Sequence, residues 1–367
     1  MGACSVSLGA CALDNTQVDY GPLDGPGLRE TPPRSGLLYG AAVEASQLGE
    51  DAALAGAVAR ECAILVPEGA LKWRALRPAS DRFDFRGGDA IVRFASLHGQ
   101  RVRGHTLVRH QALPDWFAAS AGSGNASSLL AAHIETVCGH YAGQLQAWDV
   151  VNEVVDPRAA HGLRETPWWR LLGAGYIGTA FRTARAADPA AVLFLNDYGL
   201  EADGHAADAK RGLVLTLLRR LLDAGVPVQG LGLQSHLVVG DRFDSLIGFL
   251  EQVRGLGLRV AVTELDVSDV PVPGQPVSAR DAAVATTYAT FLQKVLAVPG
   301  LVREVLTWGL TDATTWLRSY RPRPDGLPTR PLPLDEALAR KPAWAAIRTS
   351  LARADARYMI PSPRKQA

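Results

Sequence analysis

The chain has 367 residues, 47% hydrophobic and 20% charged, with a formal net charge of +1. That balance excludes a wholly disordered chain and supports a core burying roughly three quarters of the unfolded surface. Near-neutral charge excludes the field that a phosphate backbone needs, so nucleic acid is no partner, and no run of about 18 apolar residues exists to form a spanning helix.

Taken in order, residues 1–13 are rich in small residues and lack a Lys/Arg-rich start. Leu8-Gly9-Ala10-Cys11 resembles a lipoprotein cleavage box with too little hydrophobic sequence before it, so the segment reads as a scar or trimmed leader and not as an intact signal peptide. Residues 14–35 hold Gly, Pro and polar residues without periodicity, which makes 1–36 an extended lead-in. The globular unit spans 37–352, and a polar tail, disordered or loosely docked, occupies 353–367.

From residue 37 onward, short apolar β-type runs alternate with helical patterns. Strands are expected at 37–43, 63–66, 101–107, 146–151, 192–196, 230–234, 260–264 and 302–309. Helices are expected over stretches including 127–142, 168–187, 206–224, 243–255 and 279–298. Such alternation implies parallel strands joined by right-handed crossovers, and eight units favour a closed single-domain (β/α)₈ TIM barrel, an α/β fold. A doubly wound sheet would want a glycine-rich phosphate turn after its first strand, which Gly40-Ala41-Ala42 does not supply. Residues 321–333 carry five prolines and form a stiff connection bordering the open end of the barrel.

Two strand ends finish on acids. Trp148 to Val151 leads into Asn152-Glu153, and Val260 to Thr263 leads into Glu264, with Asp266 two residues on. Carboxylates at the C-terminal ends of barrel strands suggest glycosidic bond cleavage, which in its retaining form pairs a protonated acid with an ionised nucleophile. Glu153 is read as the acid/base, because the Asn152 amide can bond a sugar 2-hydroxyl and a nearby second carboxylate favours the protonated form. Glu264 is read as the nucleophile. Alternation along a strand sends Glu264 and Asp266 to one side, where His236 could bridge them and keep Glu264 ionised.

The four cysteines, Cys4, Cys11, Cys62 and Cys138, form no CxxC pair, and with His105 and His236 the only imidazoles at strand ends, no metal site is expected and no cofactor is required. Cys62 and Cys138 read as small buried hydrophobes. Trp148, Trp168, Trp169 and Trp344 read as structural.

Beyond these, the chain resembles the retaining xylanases of glycoside hydrolase family 10. The matching stretches are Pro67-Glu68 with Leu71-Lys72-Trp73, Phe83-Asp84-Phe85, Val102 to Val108, Trp148 to Glu153, Asn196-Asp197-Tyr198, Gln234-Ser235-His236, Thr263 to Asp266, and Trp308 to Asp312 with Trp316. The resemblance implies an endo-β-1,4-xylanase acting on a xylan-like polysaccharide or oligosaccharide. It also implies a monomer, secreted or periplasmic. It assigns Glu68 and Lys72 to the glycone side, His105 and Asn152 to the sugar at the cleavage point, Gln234 to the neighbourhood of the nucleophile, and Trp308 and Trp316 to the cleft walls. Tyr198 either meets the acid/base or packs in the wall.

Two positions depart from the family pattern: Gly69 stands where a sugar-binding asparagine is usual, and Arg109 where a tryptophan is usual. Arg109 puts a five-donor fork into the glycone side, so the alternative reading is a retaining β-glycosidase for a different or uronate-decorated glycoside. A non-catalytic carbohydrate-binding barrel would be expected to lack Glu153 or Glu264.

Overall fold

The computed structural model describes residues 23–30 and 36–358. The leader reading at 1–13, Cys4, Cys11 and the tail beyond 358 lie outside the described residues. Nine strands occur among the described residues: β1 (Leu38–Val43), β2 (Ile64–Pro67), β3 (Arg101–Val108), β4 (Ala147–Asn152), β5 (Val192–Asp197), β6 (Gly230–Leu233), β7 (His236–Val238), β8 (Arg259–Ser268) and β9 (Val302–Thr307). Successive strands from β1 to β6 pair in parallel, β6 pairs with β8, β8 with β9, and β9 with β1. Eight strands thus close a (β/α)₈ barrel. The short β7 adds to the protruding end of β8 through His236 opposite Asp266.

Buried on both faces, these strands read as nearly continuous apolar runs, and the helices around them bury one stripe each. In the helix Leu246–Gly255, Leu246, Phe249, Leu250 and Val253 are buried, a spacing of three and four residues that covers the barrel wall at about 1.5–3 kcal/mol per side chain. Small residues set the closest approaches. A Cβ on Gly104 would lie 2.1 Å from the Trp148 ring, so an indole can cover β3 only where β3 carries no side chain.

Three expectations need correction. The helix expected at 168–187 is two helices, Pro167–Leu172 and Gly175–Ala187, because Gly173 enters the left-handed region at φ 61° and ends the first. Part of the lead-in is docked instead of extended: Leu28–Glu30 forms a 3₁₀ turn, Leu28 is buried, and its N–H donates to Glu61 Oε2 at 3.0 Å. The tail boundary at 353 falls inside the last helix, Pro342–Tyr358, since Ala352 to Arg357 are mostly good helix formers.

Inside the barrel the core is partly ionic. Arg103, fully buried, pairs with Asp149 Oδ1 at 2.5 Å and Glu304 Oε2 at 2.8 Å, and Asp149 Oδ2 reaches His105 Nδ1 at 3.0 Å. This chain of charges runs up the axis toward the mouth. There, Asp269 anchors the proline-rich connection by accepting from Arg280 Nε at 2.8 Å and Thr329 Oγ1 at 2.7 Å, which rigidifies one rim of the opening.

Candidate active site

The strand ends open onto one cleft of about 590 Å³ at the C-terminal mouth of the barrel, where barrel enzymes gather their chemistry. Glu68, Lys72, Arg109, Glu153, Tyr198, Gln234, His236, Glu264, Asp266, Trp308 and Trp316 all line it. Asn152 and His105 are buried and are not among its lining residues. The His105 Nδ1 lies 3.9 Å from Glu264 Oε1 and its ring 5.2 Å from that of Trp308.

Glu153 follows β4 with φ 59°, a conformation uncommon outside glycine. Its N–H donates to the Asn196 carbonyl at 2.9 Å and its carbonyl accepts from Arg164 Nε at 2.8 Å. The turn lets the neighbouring Asn152 and Glu153 side chains meet, Asn152 Nδ2 donating to Glu153 Oε1 at 3.0 Å, whereas an extended strand would part them.

Glu264 stands in β8 and accepts from Asn196 Nδ2 at 2.6 Å. The same Nδ2 donates to Asn152 Oδ1 at 2.8 Å, so one chain of amides joins the two glutamates. His236 approaches Glu264 Oε2 with Nε2 at 3.4 Å and Asp266 Oδ1 with Nδ1 at 3.1 Å, the bridging place expected for it. Trp316 Nε1 donates to Asp266 Oδ2 at 2.7 Å.

Electrostatics fixes the charge on Glu264 and His236. Burial would raise Glu264, but His105, His236 and Arg109 outweigh it and hold the group at about 2. Burial would likewise depress His236, and Asp266 with Glu264 instead pushes the imidazole up to about 10, so it carries a proton at neutral pH. Burial, then the neighbouring Glu44 charge, pushes Glu68 up to about 7. Lys72 is held below the ordinary lysine range by burial and by Arg109, and its Nζ lies 5.6 Å from the Trp308 ring centroid.

Arg109 pairs with Glu153. Its Nη2 lies 3.0 Å from Glu153 Oε1, with 19% of the side chain exposed. His110 Nδ1 lies 3.8 Å from Glu153 Oε2, and burial keeps that imidazole below the usual histidine range. Tyr198 packs in the wall: its hydroxyl accepts from Arg164 Nη2 at 2.7 Å and Lys210 Nζ sits 3.6 Å from its ring centroid.

Sequence reasoning passed over Asn196, His110, Arg164, Asp149 and Glu44. Asn196 carried a signal, since it follows the apolar run Val192 to Leu195 and is in register with Asn152. Glu44 carried none. It ends up against Gly69, where a Cβ would lie 2.7 Å from Glu44 Oε1, so a carboxylate fills the room left by the missing side chain. Among the described residues no group of His, Cys, Asp and Glu is arranged to hold a metal ion, and no helix is long and apolar enough to cross a membrane.

The profile of Glycosyl hydrolase family 10 matches residues 27–350. Endo-1,4-beta-xylanase A of Thermoanaerobacterium saccharolyticum is 34% identical over 85% of this chain and 27% of its own length. Endo-1,4-beta-xylanase 1 of Humicola insolens is 36% identical over 80% of this chain and 66% of its own. Among solved structures, xylanase 10B of Thermotoga petrophila RKU-1 in complex with xylobiose superposes with a TM-score of 0.82 at 32% identity, covering 91% of this chain and 100% of that one. The chain spans about a quarter of the first of these relatives.

Proposed function

The chain belongs to glycosyl hydrolase family 10, and on that premise we propose that it is a retaining endo-β-1,4-xylanase, working without a cofactor, with Glu153 as acid/base and Glu264 as nucleophile. The observation that carries the reading is the amide chain from Glu264 Oε1 through Asn196 and Asn152 to Glu153 Oε1, which holds two carboxyls on one cleft. Such a pair performs double displacement. Glu264, held ionised by its imidazole neighbours, attacks the anomeric carbon while Glu153 gives its proton to the departing glycosidic oxygen. Glu153 then takes a proton from water as that water's oxygen displaces Glu264.

Glu68 and Lys72 supply polar contacts on the glycone side, and Trp308 and Trp316 offer apolar faces to the C–H face of a sugar ring. Because Arg109 is already paired with Glu153, it lends no support to a uronate-decorated substrate. We further propose that the protein acts as a monomer outside the cytoplasm, where a polymeric xylan is met.

Digestion of unsubstituted xylan with NMR observation of the first product tests the reading. The expected result is a mixture of short xylo-oligosaccharides whose new reducing ends first appear as the β-anomer. An initial α-anomer, or release of single terminal units alone, would overturn it.

A further inference from the structure

Three nitrogens converge on one oxygen of Glu153. Asn152 Nδ2 donates to Oε1 at 3.0 Å, Gln234 Nε2 donates to it at 3.3 Å, and Arg109 Nη2 lies 3.0 Å away in an ion pair. The other oxygen, Oε2, has His110 Nδ1 at 3.8 Å, beyond hydrogen-bond reach. An oxygen that accepts from two amide N–H groups and faces a guanidinium is a poor place for a proton, because an O–H there would point into donors and leave them unpaired. Gln234 and Asn152 are also tied to one another through Asn152 Oδ1 at 3.2 Å. Arg109 is the one charged member, and its Nε is buried without a partner, so the side chain spends its contacts on Nη2, toward Glu153 and toward Gln111 Oε1 at 3.2 Å.

We propose that Arg109 is a positioning residue for proton transfer: with Asn152 and Gln234 it occupies Oε1 of Glu153, so that Oε2 is the oxygen that gives and takes the proton. The inference rests on the assignment of Glu153 as acid/base. In the first step the Oε2 proton moves to the glycosidic oxygen, which keeps the electron pair of its breaking bond to the anomeric carbon, while a Glu264 oxygen forms the new bond. In the second, water gives a proton to Oε2, its oxygen bonds to the anomeric carbon, and the bond to Glu264 breaks. Arg109 exchanges no proton. It decides which carboxyl oxygen faces the leaving group.

The test compares Arg109→Ala, Arg109→Lys and Glu153→Ala on aryl β-xylobiosides whose leaving groups range from poor to activated, with melting temperatures to show that each variant is folded. Glu153→Ala should lose at least about 100-fold more on the poor leaving group than on the activated one. Arg109→Ala should follow the same pattern at smaller size, about 10-fold on the poor leaving group and under about 3-fold on the activated one, with Arg109→Lys between it and wild type. In Glu153→Ala, adding Arg109→Ala should leave the leaving-group dependence unchanged. An equal loss on both leaving groups, or a change confined to KM, would overturn the inference while leaving the Glu153 assignment intact. Absence of leaving-group dependence in Glu153→Ala itself would remove both.

Discussion

Asn196 donates to Glu264 Oε1 at 2.6 Å, and its own Oδ1 accepts from Thr263 Oγ1 at 2.7 Å. The amide is therefore locked by the residue preceding the nucleophile, and a buried carboxylate depends on it. A hydrogen bond to a charged group contributes roughly 1.5–3 kcal/mol, so Asn196→Ala should lower kcat/KM by about 10- to 100-fold, with leaving-group dependence unchanged from wild type. Steady-state kinetics on xylotriose and an aryl xylobioside check this. A loss on xylotriose alone would instead place Asn196 in the service of Glu153.

The His236 and Glu264 pair should write a pH signature into stability. Glu264 is depressed to about 2, so its contribution is present above its unfolded value near 4.5 and is lost as pH falls through about 2. His236 is raised to about 10, so its contribution is full below its unfolded value near 6.5 and is lost as pH rises through about 10. The melting-temperature difference between wild type and His236→Asn should be largest between about pH 4.5 and 6.5 and shrink toward pH 10. A difference that grows with pH would contradict the charged imidazole.

Glu68 should titrate within the working range, near pH 7. Its ionised form is the better acceptor for sugar hydroxyls, so KM for xylotriose should fall as pH rises through about 7. Burial is the main cause of the shift and Glu44 the second, so Glu44→Gln should move that midpoint to lower pH. A midpoint that stays in place would remove Glu44 from the glycone side.

Gly69→Asn should displace the Glu44 carboxylate, since the added Cβ would lie 2.7 Å from Glu44 Oε1. The clash is with the far end of a flexible side chain, so the melting temperature should move by no more than about 2 °C. The same KM–pH profile should shift toward that of Glu44→Gln. Loss of folding would show that Glu44 is held in place and cannot yield.

Much of this architecture was legible in the sequence because period and position carry it. The β-branched runs ending on Glu153 and Glu264 marked strand ends, and the alternation from Glu264 to Asp266 placed the seat of His236. What escaped depends on contacts between distant segments. Glu44 reaches Gly69 across adjacent strand ends, and Arg109 reaches Glu153 from the neighbouring strand, neither of which has a local pattern. The setting of His105 depends on the same kind of contact: buried Asp149 holds its Nδ1 at 3.0 Å, and the other ring nitrogen is buried without a partner. The break at Gly173 was visible in composition, but the apolar spacing on either side of it continued and masked the stop.

The division of labour between the two glutamates is tested most directly by trapping the covalent intermediate. Glu153→Ala protein incubated with an activated 2-deoxy-2-fluoro aryl β-xylobioside should gain the mass of one fluorinated disaccharide unit, and peptide mapping should locate it on the segment holding Glu264. No stable adduct, or an adduct on any other carboxylate, would contradict the assignment.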